Sequence, residues 1–307
     1  MWRVWLLCAL LSLPLLAQAD EGVREAKRVS LVLGSGGARG YAHIGVIEEL
    51  ERQGYTIVSI SGSSMGALVG GIYAAGGLEA FRDWVSVLEI GEVLDLVDFN
   101  LGGGGLVNID GVFEKIGGFV SIDQIEDLPI RFVAAATDLQ ARESHLFEHG
   151  PLLPILQAST AMPTIFKPFE YDGRLFVDGG TLNPLPIAAA AEVEHDLLIV
   201  VDVGADRPVR FRPEPPEEIR QNRQSIYDRI FEHFLANDAG REKGLFTIAS
   251  ETINIMQEQT AKTQIEKHPH DLLIEIPRQS AAFYEFNRAW ELIEIGRLTT
   301  REALQRR

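Results

Sequence analysis

Two short apolar runs, residues 29–33 and 57–60, stand early in the chain, and each leads through glycines into a stretch with helical spacing. Runs of this length bounded by turn residues read as buried strands. Between them Ile44, Ile47 and Leu50, with Val46, share one face of a helix that Gly54 ends. The second helix, residues 65–75, is crowded with Gly66, Ala67, Gly70, Gly71, Ala74 and Ala75. Side chains this small let a helix backbone lie close to a sheet, so the segment is expected to be buried. Further branched apolar runs at 131–136, 175–177, 197–203 and 272–276 predict more strands. Strands this far apart need crossovers, which implies an α/β fold: a mostly parallel or mixed sheet with helices on both faces.

Other segments set the organisation. Residues 1–19 carry Arg3, an apolar stretch at 4–16 broken by Pro14, and the small-x-small triplet Ala17-Gln18-Ala19 before Asp20. That pattern is a signal peptide, and it predicts a periplasmic or secreted protein beginning near Asp20. Cys8, the one cysteine, lies inside it, so a disulfide scaffold is excluded. Four prolines and three arginines within 207–216 mark a break between a motif-bearing core, about 29–203, and a helical C-terminal part, about 217–307. Because the run at 272–276 must join the main sheet, residues 20–307 are expected to form one domain. The run 101–106, with four consecutive glycines, is either a mobile loop near an entrance or a plain linker.

Charge narrows the partners. With a formal charge of −16 in 307 residues, the chain lacks the basic stripe a nucleic-acid surface needs. The expected helix at 217–237 has apolar residues at helical spacing, but its polar face mixes acids with Arg220, Arg223 and Arg229. Packing against the domain suits it better than lying on a membrane, with a lid or a transient membrane-surface contact as the alternative.

Three turns carry the candidate chemistry. Gly62-Ser63-Ser64-Met65-Gly66 is a G-x-S-x-G string between a strand and a small-residue helix, the setting in which a sharp turn exposes a nucleophilic Ser64. Gly34-Ser35-Gly36-Gly37-Ala38-Arg39-Gly40 stands between another strand and helix, where successive amides make an anion cradle. Arg39 occupies the place of the third glycine of a dinucleotide fingerprint, and no Lys-Ser or Lys-Thr follows, so an oxyanion hole formed by Gly36, Gly37, Ala38, Arg39 and Gly40 is the better use. Asp178-Gly179-Gly180 follows a short strand and sets a carboxylate in a tight turn.

In this order the three elements resemble the patatin-like phospholipase family. Gln157-Ala158-Ser159-Thr160-Ala161-Met162-Pro163, Phe166-Lys167-Pro168 and Asn183-Pro184-Leu185-Pro186 are also similar to it, and the likeness spans about 29–203. It implies a three-layer patatin-like fold and a serine lipid-acyl hydrolase with Ser64 as nucleophile and Asp178 as its partner. Gly34, Gly62, Gly66, Gly179 and Gly180 would support the motifs. The implied substrate is a phospholipid or lysophospholipid ester, and no cofactor is implied. The acidic surface favours zwitterionic or neutral lipids, unless a rim of Arg39, Lys167 and Arg174 attracts anionic ones.

Two alternatives stay open. His195 follows Asp178 in chain order and could complete a triad, although Glu192, Glu194 and Asp196 around it suit a solvated surface residue. A non-enzymatic lipid-binding protein could also use the scaffold. His43, close to the glycine turn, is expected to be either a packing residue or a support for that turn, and His268 and His270 have no third ligand at metal spacing.

Overall fold

The computed structural model describes residues 27–87, 108–217, 219 and 245–307. The expected leader, the glycine run at 101–106 and nearly all of the expected helix at 217–237 lie outside these residues.

Eight strands form one sheet among the described residues: β1 (Arg28–Leu33), β2 (Thr56–Ser63), β3 (Arg131–Asp138), β4 (Glu143–Phe147), β5 (Phe169–Tyr171), β6 (Arg174–Asp178), β7 (Leu197–Ala205) and β8 (Leu272–Pro277). The order is β5-β6-β3-β2-β1-β7-β8, with β4 also paired to β3. Neighbours from β3 through β8 are parallel, whereas β4, β5 and β6 are antiparallel. The sheet is therefore mixed, and the run at 272–276 joins it as expected. Strands β4 and β5 were not legible in the sequence, because Glu143, His145 and Glu170 interrupt any apolar run.

Side chains alternate between two buried layers, which is why the central strands are apolar on both faces. On one side, Leu31 and Leu33 of β1 and Ile199, Val201 and Val203 of β7 join the larger core. Helices α1 (Ala42–Arg52), α2 (Met65–Ala74), α3 (Leu78–Val87), α4 (Asp110–Gly117), α5 (Leu152–Thr160) and α8 (Ala289–Gln305) contribute to this layer. On the other side, Val32, Leu198 and Val200 meet Ile187 and Ala190 of α6 (Ile187–Ala190) and Ala261 of α7 (Leu245–Lys267). Strand β2 presents Ser59, Ser61 and Ser63 among its buried residues, and Ser61 donates to Pro186 O at 2.9 Å.

Helix α8 crosses α1 with the backbones in contact. A Cβ on Gly45 would lie 1.9 Å from Ile293 O, and one on Gly296 would lie 2.0 Å from Ala42 O. Beside the crossing the fully buried Glu49 carboxylate is met by Arg52, Arg301 and Gln53. Alanine within a helix is ordinarily more stable than glycine by about 0.5–1 kcal/mol, but here overpacking dominates. Gly296→Ala is expected to lower stability by about 1–3 kcal/mol in urea unfolding, and an unchanged or raised midpoint would show that the helices are not in backbone contact.

Candidate active site

Strand β2 runs on to Ser63, so Ser64 alone makes the turn into α2. Its φ of 53° and ψ of −126° lie outside the regions open to ordinary residues, at a cost of about 1–3 kcal/mol that the surrounding packing must hold. This is the geometry of a nucleophile elbow. Gly66 permits it: a Cβ there would sit 2.0 Å from Leu33 O, at the end of the neighbouring strand. Ser63, the competing hydroxyl, is fully buried and has no hydrogen-bond partner among the described residues.

Asp178 reaches Ser64 through sheet register. Residues 59–63 of β2 pair with 131–135 of β3, and β6 takes over with Asp178 opposite Ala136. Residues 134–138 pair on their other edge with β4, so β2 and β6 share one edge of β3 and meet there end to end. The Ser64 hydroxyl donates to Asp178 Oδ2 at 2.5 Å, and Gly180 N–H donates to Oδ1 at 2.7 Å. Asp178 N–H donates to Ala161 O at 2.9 Å, and Thr137 Oγ1 donates to Asp178 O at 3.0 Å. A Cβ on Gly179 would strike Ala135 O at 2.0 Å, so the turn lies flat against β3.

Ser159 was named in the sequence only as part of a similar stretch, without a role. Its hydroxyl accepts Ser64 N–H at 3.0 Å and donates to Ala135 O at 2.6 Å, tying the elbow to β3 from the end of α5.

The glycine turn packs against both others. A Cβ on Gly40 would lie 2.3 Å from Met65 Cβ, and one on Gly180 would lie 2.6 Å from Ser35 Oγ. Residues Gly37–Tyr41 form a 3-10 turn, in which Gly37 takes a φ of 55°. Ala38, expected among the oxyanion donors, gives its N–H to Phe283 O at 2.7 Å instead. The 3-10 turn uses the amides of its later residues, Gly40 included. Among the described residues the Gly36 and Gly37 amides have no protein acceptor. Arg39 also departs from expectation: its side chain is buried, donates to Arg278 O, and is faced by Glu258 and Asp202. Burial pulls its pKa below the usual value, and the two carboxylates oppose that pull.

The family model for patatin-like phospholipase matches residues 31–191, more than half of the chain. An uncharacterized NTE family protein of Mycobacterium tuberculosis is 37% identical over 92% of this chain and 92% of its own length. The chain belongs to the patatin-like phospholipase family. As a member it is a hydrolase of carboxylic esters, in a family of lipid hydrolases. Patatin-like phospholipase domain-containing protein 6 of Homo sapiens is 33% identical over 60% of this chain and 14% of its own length. Lysophospholipase NTE1 of Scheffersomyces stipitis is 31% identical over 58% of this chain and 12% of its own length. Among solved structures, VipD from Legionella pneumophila aligns with a TM-score of 0.41 at 14% identity, over 88% of this chain and 67% of that one.

Within this patatin-like site no histidine of the described residues bonds to Ser64 or Asp178. His195 is placed just before β7, where Asp196 pairs with Arg28 at the start of β1. Ser64 follows the opposite end of the eight-residue β2, which starts level with Arg28, so at about 3.3 Å per residue it lies roughly 25 Å away along the strands. The half-buried His195 donates its Nδ1–H to Val193 O in the segment before β7, far from Asp178 and Ser64, so the triad reading with His195 fails. Of the two roles expected for His43, the structure shows turn support: Nε2–H donates to Gly34 O at 2.8 Å, and burial drops its pKa to about 4, which keeps the ring neutral. His233 lies outside the described residues.

Burial is also the main influence on Asp178. It raises the carboxyl from 3.8 to about 6, against the hydrogen bonds from Ser64 and Gly180 that favour the anion. The unfolded chain releases this proton near 3.8 and the fold holds it to about 6, so this group's contribution to stability falls as pH rises through that window. Asp178→Asn cannot ionise. It is expected to be more stable than the parent by about 1–3 kcal/mol at pH 8, with the difference closing at pH 4. Urea unfolding at the two pH values checks this, and a variant less stable than the parent at pH 8 would contradict it.

Proposed function

We propose that the chain cleaves the acyl ester bonds of phospholipids or lysophospholipids through a Ser64-Asp178 dyad. The observation that carries this reading is the 2.5 Å hydrogen bond from Ser64, held in a strained elbow, to a carboxylate buried away from water. Asp178 takes the hydroxyl proton as Ser64 Oγ attacks the ester carbonyl, and then gives it to the leaving alcohol. An acyl group remains on Ser64. Water, deprotonated by Asp178, attacks that ester and releases the fatty acid, and the proton returns to Ser64. The Gly36 and Gly37 amides hold the negative oxygen that develops at each step.

An aspartate of ordinary pKa is a weak base. Lifting it to about 6 brings it closer to the range where general bases work at neutral pH while leaving it ionised there. Lysophospholipids are included because a relative over the matching region is a lysophospholipase. The formal charge of −16, with Arg174 bound to Asp138 and Arg39 faced by two carboxylates, supports a preference for zwitterionic or neutral lipids. Contact with a lipid surface would then be transient.

The test is incubation of parent and Ser64→Ala protein with a mixed lipid extract, followed by mass analysis of free fatty acids and lysolipids. Parent protein should release fatty acid, and Ser64→Ala should lose about 10⁴-fold or more of that rate. Equal release by both proteins would remove Ser64 from the mechanism.

A further inference from the structure

The short segment after Asp178 ties two of the three turns together. Asn183 N–H donates to Gly179 O at 2.8 Å, which closes the acid turn, while Pro184 O accepts Ser35 N–H at 3.0 Å in the glycine turn. The spacing between the carboxylate and the oxyanion donors therefore passes through residues 183–185. This bridge is loop backbone, with no ladder of its own to fix it.

One side chain of α7 holds it from both sides. Gln264 Nε2 donates to Asn183 Oδ1 at 2.6 Å, and Gln264 Oε1 accepts Leu185 N–H at 3.0 Å. A single planar carboxamide thus fixes the residues before and after Pro184. Asn183 Nδ2 donates in turn to Ser144 Oγ on β4 at 3.2 Å. Seven residues earlier on the same face of α7, Gln257 Oε1 accepts from Ser35 Oγ at 3.4 Å. Helix α7 lies beyond residues 31–191, so the motifs of the family do not include it.

We infer that Gln264 is a positioning residue for the reaction, setting the Asp178 turn against the Gly36-Gly37 donors through the bridge at Asn183–Leu185. The inference rests on the proposed dyad for its catalytic consequence only. Gln264 touches none of the reacting atoms, so its loss should lower kcat more than it raises KM. It is half-buried, and its replacement empties no core cavity.

The experiment compares parent, Gln264→Met, Gln264→Ser and Gln264→Glu on a soluble p-nitrophenyl ester and by amide hydrogen exchange. Met and Ser remove both bonds, and either one suffices if the other does not fold. Glu keeps an acceptor for Leu185 N–H. Its second oxygen can accept from Asn183 after an amide flip, with the Ser144 hydroxyl then donating to the flipped oxygen. For Met and Ser the expected result is a kcat about 10–50-fold lower with KM within about twofold, and Glu should recover to within about threefold of the parent. Exchange at the Ser35 and Asn183 amides should quicken about tenfold or more, while Gly34 N–H, bonded to Val201 O, keeps its protection. The exchange reading needs no activity, so a parent that hydrolyses nothing would sink the proposed function and leave positioning to be judged on exchange. Folded Met and Ser variants with parental kcat, or with unchanged exchange at Ser35 and Asn183, would overturn the inference.

Discussion

Asp178 gives up its hydration when the chain folds, and the rest of the site is arranged around what replaces it. Two donors reach its carboxylate, Gly180 N–H on one oxygen and the Ser64 hydroxyl on the other. These do not fully offset burial, as the raised pKa of about 6 records. In the proposed mechanism this unfavourable charge has a use, because the same desolvation makes the carboxylate a better base. The strain at Ser64 points the same way, since a relaxed turn would carry the hydroxyl away from its partner.

Bringing the two groups together is a problem of sheet register more than of loop shape. Strands β2 and β6 run in opposite directions along one edge of β3 and stop at adjacent positions, opposite Ala135 and Ala136. Their ends could not meet if side chains stood between them. Gly66, Gly179 and Gly180 face Leu33 O, Ala135 O and Ser35 at distances no Cβ could take. The glycines of the three motifs therefore act by close approach, so the turns pack as one unit. The C-terminal part then closes that unit from outside: Phe283 O takes the Ala38 amide, and α7 lines the second face.

This division explains what the sequence disclosed. Ser64, Asp178 and the Gly36-Gly37 turn were legible because each sits at a strand end followed by small residues, a local pattern that needs no partner to be read. The apolar runs behind β1, β2, β3, β7 and β8 were legible for the same reason. Ala38 was misplaced because an amide's partner 245 positions away leaves no trace in local spacing. The Arg39 side chain was misjudged likewise, its carboxylates lying on β7 and α7. Ser159 was visible only inside a stretch similar to the family. Gln264 gave no signal at all, since one glutamine on a polar helix differs from its neighbours only in what it meets after folding. His195 shows the converse: chain order suggested a triad, and the parallel direction of β7 put it at the wrong end of the sheet.

The central claim is that Asp178, without a histidine, activates Ser64. It is tested most directly by the pH dependence of second-order labelling of Ser64 by a fluorophosphonate, measured on the parent, His233→Gln and Asp178→Asn. The account predicts that parent and His233→Gln show the same rise with a midpoint near pH 6, and that Asp178→Asn labels slowly with no such midpoint. Loss of the rise in His233→Gln, or its retention in Asp178→Asn, would contradict it.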